Sequence, residues 1–241
     1  MTSPDPQKAR FDFTSAAAGL NEFRQTKIYD LLAGLPLTAW FGLSAFKQVT
    51  QIADLFRAQS GALDSMAVIL LLGKLAGLAL VAMLLVLMVI RRPAKARAEG
   101  PLPRLCAFMG TYLGLAIVWL PPQPVGFELS VASLLLILGG LGFSAYAVLH
   151  LGRSFSVMAE ARHLVVDGPY ARIRHPLYLG EAVAMLGLTL QYLSAFALLI
   201  LSLQLTFQII RMRNEEQVLA RMFPEYEDYR TRTVRILPGV Y

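Results

Sequence analysis

Apolar residues along this chain come in long unbroken runs, not in the alternation of a half-buried strand or the narrow stripe of a surface helix. The runs are Ile28 to Phe46, Met66 to Ile90, Leu105 to Leu120, Leu129 to Leu149, Leu177 to Leu190 and Tyr192 to Ile210. A helix needs about 20 apolar residues to cross a hydrocarbon layer about 30 Å thick. The pattern therefore predicts an all-α, polytopic integral membrane helical bundle of about six transmembrane helices. The second run is long enough to tilt. The first is interrupted by Gly34 and Pro36, which neighbouring helices can accommodate. Only Gln191 separates the last two, so they form a C-terminal helical hairpin.

The polar stretches between the runs divide the chain. Residues 1–27 are a cytosolic N-terminal tail, residues 28–149 carry the N-terminal transmembrane helices, and residues 150–241 combine a cytosolic pocket with the hairpin. Lys47 to Ser65 reads as a polar connector. Lys and Arg concentrate in the tail, in Arg91 to Arg104, in Arg153 to Arg174 and in Arg211 to Arg235. With six spans these segments share one side, which the positive-inside rule makes cytoplasmic.

Composition narrows the class further. Apolar residues make up 56% and charged residues 16%, against about a quarter charged in a soluble domain. The net charge of +6 is accounted for by cytoplasmic loops and excludes nucleic acid as the expected partner. The single cysteine, Cys106, precludes a disulfide within the chain, and His150, His163 and His175 are too scattered for a metal centre. The polar N-terminus has no signal-peptide core, so the first span is expected to direct insertion. A bacterial inner membrane, with the site facing the cytoplasm, fits these features.

Gly140-x-Gly142-x-x-Ala145 matches a dinucleotide fingerprint by letters, but no strand precedes it and it lies in an apolar run. Close helix packing is the expectation there. Gly73, Gly77, Gly110 and Gly114 are read likewise. Lys74, inside the second run, is expected to snorkel to the outer interface.

Candidate chemistry lies in two polar clusters. In Gly168 to Gly180, a Gly168-Pro169 turn precedes His175-Pro176, which places Pro176 at the first helical position and His175 at the cap. Backbone N–H groups of such a helix start can bind an anion. In the second cluster, Arg211 and Glu215 share a helix face, and Glu215-Glu216 place acids near a helix C-terminus, against the macrodipole. A ligand with a carboxylate, an amine, sugar hydroxyls and a flat base suits the pair. Residue types alone do not separate S-adenosylmethionine from a nucleotide.

Leu151 to Ser156, Leu164-Val165, Gly168-Pro169-Tyr170, Arg174 to Gly180, Glu215-Glu216, Phe223 to Tyr229 and Pro238-Gly239 together resemble the isoprenylcysteine carboxyl methyltransferase family, with phospholipid methyltransferases as more distant relatives. The resemblance implies S-adenosylmethionine as methyl donor and a lipophilic acceptor entering from the bilayer among membrane lipids. Carried over by position, the cofactor contacts are Glu160, Arg162, His163, Leu164, Val165, Tyr170, His175, Pro176, Leu177, Tyr178 and Glu215. Arg211 faces the acceptor and orients its carboxylate. Glu160 stands where eukaryotic members have an amide, and Pro224 replaces the glycine usual after Phe223. A carboxylate acceptor needs positioning more than a base. An amine acceptor needs a base, for which Glu216 or His175 are the candidates. The alternatives are a phospholipid amine or thiol acceptor, an NADPH-dependent membrane reductase, and a non-enzymatic membrane protein.

Overall fold

A computed structural model describes residues 23, 26–58, 63–121 and 123–237. The expected tail up to residue 22 and the Pro238-Gly239 pair lie outside the described residues. The structure is mostly helical. Six long helices are α1 (Lys27–Ala58), α2 (Ser65–Ile90), α3 (Pro101–Ala116), α4 (Phe127–Leu151), α5 (Pro176–Gln191) and α6 (Ala195–Met222). A seventh, α7 (Tyr226–Arg232), is short, and a two-stranded ribbon pairs β1 (Ala96–Arg97) with β2 (Glu160–Ala161).

Four of these helices are long and apolar enough to cross a membrane: α1, α2, α4 with the turn that follows it, and α6. The other two expected spans, α3 and α5, have 16 residues each, or about 24 Å. They fall short of a lone crossing and lie packed against the longer helices, α3 on α6 and α5 on α4.

One boundary differs from the sequence expectation. The connector expected from Lys47 is helical as far as Ala58. Its polar residues fall on different faces of one helix. Gln48 is buried and Gln51 bonds to α2, while Asp54 and Arg57 pair on the exposed side at 2.9 Å. Pro36 sits within α1 without ending it, and Thr38 donates to the Gly34 carbonyl beside it at 3.0 Å. Asp64 precedes α2, and its carboxylate accepts from the Ala67 amide at 2.7 Å, capping that helix. At the other end, α6 runs on past Ile210 to Met222, as expected of a helix that carries Arg211 and Glu215 on one face. It therefore carries Arg211, Glu215 and Glu216 on one rigid rod.

The closest approach is between α4 and α5. A Cβ on Gly140 would lie 2.4 Å from the Ala184 backbone N, and one on Gly180 would lie 2.8 Å from the Gly140 carbonyl O. Both glycines are therefore required by backbone contact, and the packing reading holds at Gly140 but not at Gly142, where a Cβ would meet nothing within 4 Å. Ser133 on α4 adds a bond to the Gly187 carbonyl at 2.7 Å. This contact fixes the start of α5, and with it His175 and Tyr178, relative to the loop that leaves α4.

At the arginine-rich end, loops replace membrane helices. The segment after α2 is laced to the segment after α4 by Arg92 N to Arg153 O (2.8 Å), Lys95 N to Ala161 O (2.8 Å) and Ala98 N to Ala159 O (2.9 Å). The ribbon register places Arg97 opposite Glu160. After α7, the backbone at Val234 and Arg235 runs beside the loop before α5. Arg174 N bonds Val234 O at 2.8 Å and His175 N bonds Arg235 O at 3.1 Å. The α5 cap is thus held by a strap from the chain's last described residues.

Candidate active site

A cavity at this polar end is walled by the loop after α4, the start of α5, α6 and α7. Ten of the eleven residues expected to bind a cofactor line it: Glu160, Arg162, His163, Leu164, Val165, Tyr170, His175, Leu177, Tyr178 and Glu215. Pro176, the eleventh, is buried at the first position of α5 and serves the helix start. His175 is the N-cap residue, as its place before Pro176 predicts.

One side of the cavity is a buried charge network. Arg162 is 2% exposed and Asp30 on α1 is 1% exposed. One terminal nitrogen of Arg162 donates to Asp30 and to Glu160, both at 2.6 Å. Arg91 holds the other Asp30 oxygen at 2.7 Å and Arg97 donates to Glu160 at 2.8 Å. Ser156 also donates to Glu160, at 2.7 Å. Three guanidinium groups thus face two carboxylates, leaving positive potential. The remaining donors of Arg162, Nε and its second terminal nitrogen, are buried and have no partner among the described residues. Buried donors of this kind call for an acceptor, and a ligand carboxylate supplies one.

The opposite side is acidic and aromatic. Tyr178 donates to Glu215, and His175 Nδ1 lies 4.0 Å from the same carboxylate. Tyr170, Tyr226 and Tyr229 complete the wall. Tyr229 donates to the Tyr170 carbonyl at 2.8 Å, while the hydroxyls of Tyr170 and Tyr226 are buried without a partner among the described residues. Burial raises the Tyr170 and Tyr226 phenols well above their usual range and pushes Tyr229 up to about 12. All three therefore keep their protons at neutral pH and act as hydroxyl donors.

A second cavity runs inside the bundle between α1, α2, α3, α4, α5 and α6. Ser156 and Leu177 line both cavities, so the two meet there. Arg211 lines the inner one. It donates to the Val157 carbonyl at 2.8 Å and lies over the Tyr178 ring at 4.9 Å, with its Nε buried and unpartnered among the described residues. Gly110 makes room for it, since a Cβ there would come within 2.8 Å of Arg211 Cδ. Glu181 also lines this cavity and accepts from Gln208 at 3.0 Å. Lys74, expected to snorkel outward, instead turns inward and donates to Gln51 at 2.8 Å.

Glu216 departs from its expected catalytic role. It lines neither cavity. Its oxygens accept from Arg174 at 3.0 Å and from Arg235 at 2.9 and 2.5 Å, and His175 Nε2 lies 3.2 Å away. It faces away from Glu215 because successive residues on a helix point about 100° apart. Glu216 anchors the strap and the α5 cap.

Several site residues carry no role in the sequence reading. Asp30 and Glu181 each had a signal, an acid inside an apolar run. Tyr226 and Tyr229 lie in a motif the resemblance used, without an assigned function. Ser156, one of the two residues shared by both cavities, likewise lies in a motif the resemblance used, without an assigned function.

Among the described residues, no group of three His, Cys, Asp or Glu side chains could hold a metal ion. Two curated proteins are similar to part of the chain. The cobalt-zinc-cadmium resistance protein CzcN of Cupriavidus metallidurans is 36% identical over 111 residues, 45% of this chain and 51% of that protein. The nickel-cobalt-cadmium resistance protein NccN of Alcaligenes xylosoxydans xylosoxydans is 32% identical over 111 residues, 45% of this chain and 52% of that protein. The chain thus spans about half the length of the curated relatives it matches. Residues 129–226, from α4 to the start of α7, match the family model described as phospholipid methyltransferase, and over this segment, which holds most of the polar cavity wall, the chain is similar to a membrane methyltransferase.

Proposed function

We propose that this protein is an S-adenosylmethionine-dependent membrane methyltransferase that esterifies the carboxylate of a lipophilic, isoprenylcysteine-like acceptor. The observation that carries this reading is the junction of the two cavities at Ser156 and Leu177. A polar chamber and an apolar one with a common border can bring a charged methyl donor against a membrane-soluble acceptor. The match over residues 129–226 supports the methyltransferase class.

The residues fit the donor. The unpartnered nitrogens of Arg162 would take its carboxylate, and Glu215 with the Tyr178 and Tyr226 hydroxyls would take its amine and sugar hydroxyls. When bound, S-adenosylmethionine supplies a methyl group on a sulfonium, ready for in-line displacement. The remaining work belongs to the chain. Arg211, held by Val157 and stacked on Tyr178, orients the acceptor carboxylate with its unpartnered Nε. The apolar wall around Leu177 strips water from that oxygen. Positioning and desolvation supply most of the rate when the nucleophile is already an anion. The acceptor enters from the bilayer, the polar cavity faces the cytoplasm, and a bacterial inner membrane houses the protein.

A second reading has an amine acceptor, in keeping with the phospholipid methyltransferase match. It is favoured by Glu181, whose carboxylate lines the inner cavity and can receive the proton the amine must lose. Glu181 replaces Glu216 in that role, because Glu216 is engaged by two arginines.

Calorimetric titration of the detergent-purified protein with S-adenosylhomocysteine and with NADPH tests the reading. The expected outcome is micromolar S-adenosylhomocysteine binding, abolished by Glu215→Ala, and no NADPH binding. NADPH binding in place of S-adenosylhomocysteine would sink the methyltransferase and promote the reductase.

A further inference from the structure

The inner cavity has polar groups beyond those at its border with the cofactor chamber. Lys74 on α2 points its Nζ inward and bonds Gln51 on α1. Gln48 lines the same space and is buried. Gly77 leaves room for it, since a Cβ there would lie 2.7 Å from Gln48 Oε1. Among the described residues no carboxylate pairs with Lys74. The charge acting on it is that of Lys47, which is of like sign.

This arrangement is costly for a helix in hydrocarbon, where ionisable residues mark ligand pathways unless they escape to the interface. Lys74 turns into the inner cavity instead. It sits about 14 Å along α2 from Ser65, at about 1.5 Å per residue. Its one bond leaves two ammonium donors for an incoming oxygen. Gln48 adds an amide on the same cavity wall.

We propose that Lys74, with Gln51 and Gln48, forms a second binding station that holds an anionic oxygen at the far end of the acceptor. The acceptor is then a two-headed amphiphile, with one polar group at Arg211 and Ser156 and the other at Lys74. Along α5 the cavity wall runs from Leu177 to Gln191, about 21 Å of helix, which leaves room for a long hydrocarbon between the two heads. A lipid with one head leaves one station unfilled. This substrate class rests on reading the inner cavity as the acceptor site.

Binding of long-chain diacids to the full protein in detergent tests the proposal. The probes are dodecanedioic and hexadecanedioic acid, each compared with the monoacid of equal length, by thermophoresis. At least one diacid should bind about tenfold more tightly than its monoacid, the effect of one added charge-assisted hydrogen bond. Lys74→Met, which keeps the side-chain bulk, should remove that preference, and Lys74→Arg should keep it. Titration with S-adenosylhomocysteine on each variant reports folding and the cofactor chamber separately, and it should be unchanged. Equal affinity for diacids and monoacids, no diacid binding, or a preference that survives Lys74→Met would overturn the second station. Loss of S-adenosylhomocysteine binding in the unsubstituted protein would instead overturn the methyltransferase reading and leave the diacid result standing.

Discussion

The two cavities that meet at Ser156 and Leu177 are built on opposite plans. The polar chamber is assembled from short segments far apart in sequence, tied by charge: Asp30 from α1, Arg91 and Arg97 after α2, Glu160 and Arg162 after α4, Glu215 from α6. The inner cavity is assembled from long helices packed by shape. Its few polar side chains stand in small groups on apolar walls, such as Lys74 with Gln51 and Glu181 with Gln208. The first plan holds the chamber wall by many mutually dependent bonds, so damage to one propagates. The second tolerates change except where a polar group stands.

Substitutions can break this contrast. The largest effect is expected for Asp30→Ala, which leaves Arg91 and Arg162 buried without their shared carboxylate. Such a loss typically costs about 3–5 kcal/mol, and thermal unfolding in detergent should show it directly. Retention of the wild-type midpoint would mean that the network is not cooperative. Filling the inner cavity with Gly73→Phe should weaken diacid binding about tenfold or more. The same variant should keep S-adenosylhomocysteine affinity within about twofold, since sites without shared partners are close to additive. A parallel loss of both would show that the cavities are one mechanical unit. Tyr226→Phe removes a hydroxyl with no described protein partner, so the melting midpoint should hold while cofactor affinity falls several-fold, about the worth of one hydrogen bond.

The smallest effect concerns pH. Tyr229 titrates at about 12 in the folded protein against 10.0 ordinarily. Its folded-state pKa is raised, so its contribution to stability is complete below pH 10 and is lost as pH rises towards 12. Unfolding midpoints should therefore be insensitive to Tyr229 at neutral pH. Tyr229→Phe should remove part of the alkaline decline, and an unchanged decline would place the titrating group elsewhere.

The same contrast explains what was legible in the sequence. The apolar runs located the long helices, and the family resemblance carried by the loop before α5 pointed to the residues that line the polar chamber. The inner cavity left no cluster in the sequence. Lys74, Glu181 and Arg211 lie on three helices, and only packing brings them to one space. The reading of Glu216 failed on helix phase. Adjacent acids look equivalent in a string of letters, yet one turns to the ligand chamber and the other to Arg174 and Arg235. The buried partners of Asp30, Arg91 and Arg162, lie more than 60 residues away, a distance at which no local pattern reports a pairing.

That pairing also bears on how far the matched segment stands by itself. The segment from 129 to 226 that is similar to other proteins holds Arg162 and one of its carboxylate partners, Glu160, while the other, Asp30, comes from the first helix, outside the matched segment. Residues 129–226 grafted onto another scaffold would carry the Arg162–Glu160 pair with them and leave Asp30 behind.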